Sequence, residues 1–309
     1  MRVLLTGASG FVGSALLRHF SQRELDLVVA VRTAGYTVSG SARVFEVGDI
    51  NAETDWSLPL NEVDVVVHVA GLAHLTLPAS VEALAAFRSV NVDGTLNLAR
   101  QAVAAGVRRL IFISSIGVNG YQGGRPLTAD DKPAPVDFYA QSKWEAEQAL
   151  MSLAAESALE VVIIRPPLVY GAGAPGNFGK LVRAVSRGVP LPLGAVHNRR
   201  TLVALENLVD LIDVCITHPK AVNQVFLAGD GEDISTTELL VCVAKALNRS
   251  AFLIPVPVGL MAFAAGLLGK RDRVEKVCGD LQVDISKTRN MLEWTPPVSA
   301  RVALSRIAT

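Results

Sequence analysis

The pentapeptide YAQSK places Tyr139 and Lys143 four residues apart, on one face of any helix that contains them. A free phenol ionises at about pH 10, too high for a base near neutrality. A nearby ammonium favours the phenolate and lowers that value. Such a tyrosine takes a proton from an alcohol or gives one to a ketone. Upstream, IFISSIGVNG reads as a strand that ends in Ser114 and Ser115. A hydroxyl at the carboxyl edge of a parallel sheet hydrogen-bonds a substrate oxygen and turns it toward the tyrosine.

TGASGFVG sets Gly7, Gly10 and Gly13, with Phe11 and Val12 before the last, where a first strand meets a first helix. The glycines serve a tight turn, close backbone approach to a pyrophosphate, and close packing of helix on strand. The helix N-terminus adds unpaired N–H groups and a dipole that favours phosphate. This pattern predicts a nicotinamide dinucleotide, with Tyr139 moving the proton while hydride moves to or from the ring. The second strand ends in VVAVRT, with Arg32 and Thr33 where an acid would hold the ribose 2′-hydroxyl of NAD. A guanidinium there pairs with a 2′-phosphate. It favours NADP(H), with NAD(H) as the alternative and a solvated arginine as the plainer reading.

These residues need a frame that brings strand ends together. Short β-branched runs at 3–5, 27–31, 44–46, 63–69, 110–114 and 161–165 alternate with helical patterns near 13–21, 81–106 and 138–157. The alternation predicts an α/β protein with a doubly wound parallel sheet, because parallel strands need crossover connections. The expected division is a Rossmann domain over 1–171, with returns near 201–228, and a smaller substrate lobe over 172–309. Strands are expected at 202–205 and 224–227, and a helix at 236–247 capped by Ser235.

Lys+Arg and Asp+Glu balance at 29 each, so no field favours nucleic acid. Cys215, Cys242 and Cys278 are widely spaced and the five histidines show no ligand spacing, which predicts free thiols and no metal. MRVLLTG reads as a strand rather than a signal peptide, so a cytoplasmic enzyme is expected. The apolar stretch 256–268 is shorter than the roughly 20 residues that span a bilayer. It is expected to be a buried helix, with peripheral membrane contact as the alternative. KRDRVEK after it, with Arg271 and Arg273, reads as a solvated charge run or a second phosphate contact.

TGASGFVG, GDI, HVAG, NVDGT, ISSIGVNG, YAQSK and RPPLVYG occur in the order of the extended short-chain dehydrogenase/reductase family, which the chain resembles over nearly its whole length. The resemblance implies Ser115, Tyr139 and Lys143 as catalytic residues, with Lys143 also holding the nicotinamide ribose. It implies Asp49 and Ile50 at the adenine, Ala70 and Gly71 against the cofactor, Asn91 behind the active site, and Pro166 and Pro167 beside the nicotinamide. Asn177 and Arg200 resemble residues that grip the diphosphate of a UDP-sugar. His74, Asn119 and Ser115 are placed on the substrate side. A homodimer through a four-helix bundle of the 81–106 and 138–157 helices is also implied, with no transmembrane segment.

Asn119 stands where many sugar epimerases carry tyrosine, Leu168 where galactose-type epimerases carry asparagine, and Arg32 where tight NAD binders carry an acid. The leading expectation is therefore an NADPH-dependent reductase of a UDP-4-keto-6-deoxy-N-acetylhexosamine, yielding UDP-N-acetylquinovosamine or UDP-N-acetylfucosamine. A UDP-hexose or UDP-hexosamine 4-epimerase with bound NAD is the alternative. A non-catalytic NADP sensor is the reading from another class, disfavoured by the intact Ser115, Tyr139 and Lys143.

Overall fold

The computed structural model describes residues 1–33, 35–38, 42–73, 80–120, 124–267, 269 and 271–307. β1 (Arg2–Thr6) leads through α1 (Phe11–Phe20) to β2 (Asp26–Val31), β3 (Arg43–Glu46) and β4 (Val65–His68). Next come α2 (Val81–Arg88), α3 (Thr95–Ala104), β5 (Arg109–Ile113), α4 (Phe138–Ala155), β6 (Glu160–Arg165), β7 (Leu168–Tyr170) and α5 (Gly176–Ser186). The remainder is β8 (Arg200–Ala204), α6 (Leu205–Thr217), β9 (Gln224–Leu227), β10 (Asp233–Ile234), α7 (Thr236–Ala246), α8 (Val258–Leu267), α9 (Arg271–Cys278), α10 (Ser286–Leu292) and α11 (Ala300–Ser305).

Seven strands form one parallel sheet in the order β3-β2-β1-β4-β5-β6-β9. The chain reverses direction across the sheet between β1 and β4, which opens a crevice at the carboxyl ends of those strands. Successive side chains alternate across a strand. Val3 and Leu5 therefore pack with Leu16, Phe20, Leu208 and Ile212 on one face, while Leu4 packs with Leu98, Ala102 and Leu150 on the other. Both faces are covered, which is why these strands read as continuous apolar runs.

The smaller sheet runs β10-β8-β7, with β7 parallel and β10 antiparallel to β8. Of the two later strands, β9 returns to the large sheet, whereas β8 joins the small one. A third core of Tyr170, Phe178, Leu240, Val243 and Leu304 lies beneath it. Buried Asp230 ties this part to α6, accepting from Ala204 N (2.8 Å), Asn207 Nδ2 (2.7 Å) and the Tyr170 hydroxyl (2.7 Å).

Two expectations are corrected. The helix foreseen over 81–106 is interrupted by a π-helical turn, Ser89–Gly94. Asn91 and Gly94 are the buried residues of that turn, a placement that regular helical periodicity does not reveal. The apolar stretch 256–268 does form a helix, α8, but none of its described residues is buried. Leu260, Phe263 and Leu267 are 58%, 67% and 76% exposed. The helix lies against the lobe through Val258 and Met261 alone among its large side chains in that cluster.

Candidate active site

The glycine loop forms a cradle at the start of α1. Gly7 has φ of +74°, which disfavours a side chain, and a Cβ there would meet Ala70 N at 2.7 Å. A Cβ on Gly13 would lie 2.0 Å from Gly7 O, so the helix sits directly on the turn. Gly10 caps α1 without a side-chain hydrogen bond, and the first turn holds no acidic residue. The first N–H groups of α1 thus lack a side-chain acceptor and face the crevice with the positive end of the dipole. The cradle fits a dinucleotide pyrophosphate, with Phe11 and Val12 in its first turn.

At the end of β2, Arg32 Nε is 3.1 Å from Asp49 Oδ1, and both side chains are more than three-quarters exposed. Thr33 is exposed beside them. Ile50 packs on the chain behind Asp49, where a Cβ on Gly94 would come within 2.6 Å of it.

The wall between β4 and α4 is held by Asn91. Its Nδ2 donates to Leu72 O (2.9 Å) and Ser142 Oγ (3.0 Å), and its Oδ1 accepts from Leu72 N (2.8 Å). Gly71 lies so close that a Cβ would be 3.1 Å from Asn91 Oδ1 and 3.3 Å from Lys143 Nζ. Ala70 N donates to Thr6 Oγ1, whose partner is His68 Nδ1 at 2.8 Å. The other ring nitrogen of His68 meets Thr95 Oγ1 at 3.0 Å. Burial, then the Lys143 charge, pushes the imidazole down to about 3, so it is neutral.

Asp137 caps α4 by accepting from Ala140 N (2.9 Å), which starts the helix one turn before Lys143. Tyr139 is at the first turn, partly buried, with its ring 6.1 Å from that of Phe87. Burial pushes its phenol up to about 12, and the Asp137 carboxylate adds to the rise. In the protein alone desolvation sets the direction of the shift; the lowering expected from the lysine and a positive nicotinamide ring together concerns the cofactor-bound protein. Lys143 is buried; its Nζ donates to Ile113 O (2.8 Å) and lies 4.3 Å from the centre of the Phe112 ring. Burial lowers its ammonium to about 8, against an opposing pull from Glu147.

Ser115 stands just past β5, partly exposed, its Oγ accepting from Gly117 N at 3.1 Å. Behind it lies a network that the sequence reading missed. Arg165 forks onto Glu147 (Nε–Oε1 2.9 Å, Nη2–Oε2 2.5 Å), and Ser114 Oγ also donates to Glu147. Arg165 Nη1 donates to Asn119 Oδ1 at 3.0 Å, and Asn119 Nδ2 to Thr128 O at 2.8 Å. Asn119, expected on the substrate side, is fully buried in the wall behind Ser115. The signal available in sequence was the i, i+4 step from Lys143 to Glu147, with an arginine ending β6. Pro166 and Pro167 follow that arginine, both buried, and Pro166 O accepts from Ile116 N (3.0 Å).

On the lobe side, Arg200 Nη1 donates to Lys276 O (3.0 Å) and Gly279 O (3.1 Å). Asn177 is exposed in the first turn of α5. His74 lies outside the described residues. Among the described residues no cluster of His, Cys, Asp or Glu is suited to a metal, and no helix is long and apolar enough to cross a membrane.

A glycine-cradled helix end and a serine, tyrosine and lysine gathered along one sheet edge define a nicotinamide-dependent enzyme of the extended short-chain dehydrogenase/reductase type. The profile of the NAD dependent epimerase/dehydratase family matches residues 3–229, and the chain belongs to that family. It is 47% identical to a UDP-glucose 4-epimerase of Vibrio cholerae over 99% of this chain and 94% of that one. It is 28% identical to an N-acetyl-α-D-glucosaminyl-diphospho-ditrans,octacis-undecaprenol 4-epimerase of Escherichia coli O157:H7, over 93% and 88% of the two chains. The UDP-glucuronic acid 4-epimerase of Bacillus cereus, solved in complex with NAD, shares the fold, with a TM-score of 0.81 at 21% identity over 100% and 97% of the chains.

Proposed function

We propose that the chain interconverts the C4 epimers of a UDP-hexose or UDP-N-acetylhexosamine with NAD(H) as its cofactor. The alternative drawn from the sequence thus becomes the stronger reading. The observation that carries it is the likeness to the Vibrio cholerae epimerase over 99% of the chain. Held by the Gly7–Gly10–Gly13 cradle, NAD would supply a reversible hydride acceptor for C4 of the sugar. Ser115 Oγ hydrogen-bonds the C4 oxygen and turns it toward Tyr139. Tyr139 takes the C4 hydroxyl proton in the first half-reaction and gives it back in the second. Its phenol, held near 12 by burial, needs the positive charge of the oxidised ring to fall into working range. Lys143 keeps α4 on the β5 edge and offers its ammonium to the ribose hydroxyls. Arg200 and Asn177 are the proposed diphosphate contacts.

Arg32 bears on the cofactor. An NADP 2′-phosphate at the end of β2 would meet the Asp49 carboxylate as well as the guanidinium, because the two stand 3.1 Å apart. That pairing supports NAD. Arg32 is also the observation that favours the second reading, an NADPH-dependent 4-keto reductase.

One experiment separates the two. Purified protein is incubated with UDP-N-acetylglucosamine and UDP-glucose, and the galacto isomers are followed by chromatography without added reductant. Interconversion with no net cofactor consumption is expected. Failure of both sugars to epimerise, together with stoichiometric NADPH oxidation by a UDP-4-keto-6-deoxy-hexosamine, overturns it in favour of the reductase. A homodimer through α2–α3 and α4 goes with this reading; light scattering at twice the 32.7 kDa chain mass checks it.

A further inference from the structure

We propose that α8, with the cationic segment around it, docks the protein on an anionic lipid surface. α8 (VGLMAFAAGL) contains no polar side chain, yet it lies on the outside of the protein. Leu260, Phe263 and Leu267 follow i, i+3 and i+7 spacing, which places them in one outward stripe. Phe252 and Ile254, in the segment leading to α8, are exposed as well, at 60% and 43%. Large apolar side chains gathered in this way mark an interaction surface rather than ordinary scatter.

Charge selects the occupant. The chain as a whole is balanced, but residues 245–276 carry Lys245, Arg249, Lys270, Arg271, Arg273 and Lys276 against only Asp272 and Glu275. Lys245, Arg249, Arg271 and Lys276 are exposed in the structure. An apolar helix flanked by cations fits the boundary between acyl chains and anionic headgroups. A second copy fits less well, since a two-fold interface sets each patch against itself and apposes like charges.

The docking element also adjoins the cleft. α9 packs on α8, its Lys276 carbonyl accepts from Arg200, and Lys276 Nζ lies 3.6 Å from the Asp137 carboxylate that caps the Tyr139 helix. The inference does not rest on the epimerase reading, because it is read by binding rather than turnover.

The test is co-sedimentation of the full chain with phosphatidylcholine vesicles, with and without phosphatidylglycerol. Partition onto the anionic vesicles is expected, falling at least about tenfold in Phe263→Glu/Leu267→Glu. A second variant, Lys245→Glu/Arg249→Glu, keeps the apolar stripe and is expected to fall by a similar factor; salt near 1 M should weaken the parent too. Turnover of soluble UDP-sugar stays unchanged in both variants. No partition by the parent, equal partition onto neutral vesicles, or a mass halved by Phe263→Glu/Leu267→Glu in light scattering without vesicle binding overturns the proposal.

Discussion

Lys143 Nζ donates to the carbonyl oxygen of Ile113 at 2.8 Å, two residues before Ser115. The helix carrying Tyr139 is thereby fixed to the strand end carrying Ser115. A cation held in this way stays at the strand end beside Ser115 without being spent on a carboxylate, since Glu147 pairs instead with Arg165. The site's geometry is therefore set by buried contacts around β5 and α4, so a substrate bound as proposed would meet groups already in register.

Tyr139→Phe removes the hydroxyl to which the proposed function assigns the proton transfer, and little else. Turnover is expected to fall by about 10²–10⁴-fold, the usual contribution of a positioned acid–base group. Titration of the variant with NAD, followed by fluorescence, should give affinity close to the parent's. Undiminished turnover would remove Tyr139 from the mechanism.

Gly13 and Gly10 should respond differently to alanine. A Cβ on Gly13 meets Gly7 O at 2.0 Å and the Gly7 carbonyl carbon at 2.6 Å, while one on Gly10 meets Gly7 O at 3.3 Å. Gly13→Ala must push α1 off the turn, with a cost of about 1–3 kcal/mol typical of overpacking. The NAD-induced rise in Tm should vanish in Gly13→Ala and persist, reduced, in Gly10→Ala. Equal shifts in the two would show that the cradle is not tight.

The doubly wound sheet was legible because both its faces are buried, so β4, β5 and β6 stand out as short apolar runs. The positions of Ser115, Tyr139 and Lys143 on the fold were legible for a related reason, since each sits at a fixed offset from a strand end or helix start. Asn119 and α8 were not. The side-chain amide of Asn119 is engaged by Arg165, 46 positions away, and such long-range pairing leaves no local pattern. α8 has the composition of a core helix, and only the tertiary arrangement shows that its outer face lacks a covering among the described residues.

Glu147 and Arg165 are 1% and 3% exposed. Removing one partner leaves the other charge buried, which costs about 3–5 kcal/mol. Urea unfolding of Arg165→Met should show a loss of this order, and Glu147→Leu/Arg165→Met should lie closer to the parent than either single variant. A smaller loss in Arg165→Met than in the double variant would mean that water reaches Glu147.

His68 should shape the acid limb of stability. Its imidazole is held at about 3 in the folded protein, against an ordinary value near 6.5 when unfolded, so the unfolded chain binds the extra proton between those values. The neutral ring's contribution is whole above about pH 6.5 and is lost as pH falls toward 3. At the middle of that window the slope approaches one proton, or about 1.4 kcal/mol per pH unit. His68→Gln retains an amide to meet Thr6 and Thr95 but has nothing to protonate. Urea unfolding at pH 7, 6 and 5 should show parent stability falling more steeply than that of His68→Gln, by up to that slope. Parallel curves would mean that acid reaches the ring without unfolding, so that burial between β4 and α3 does not control its protonation.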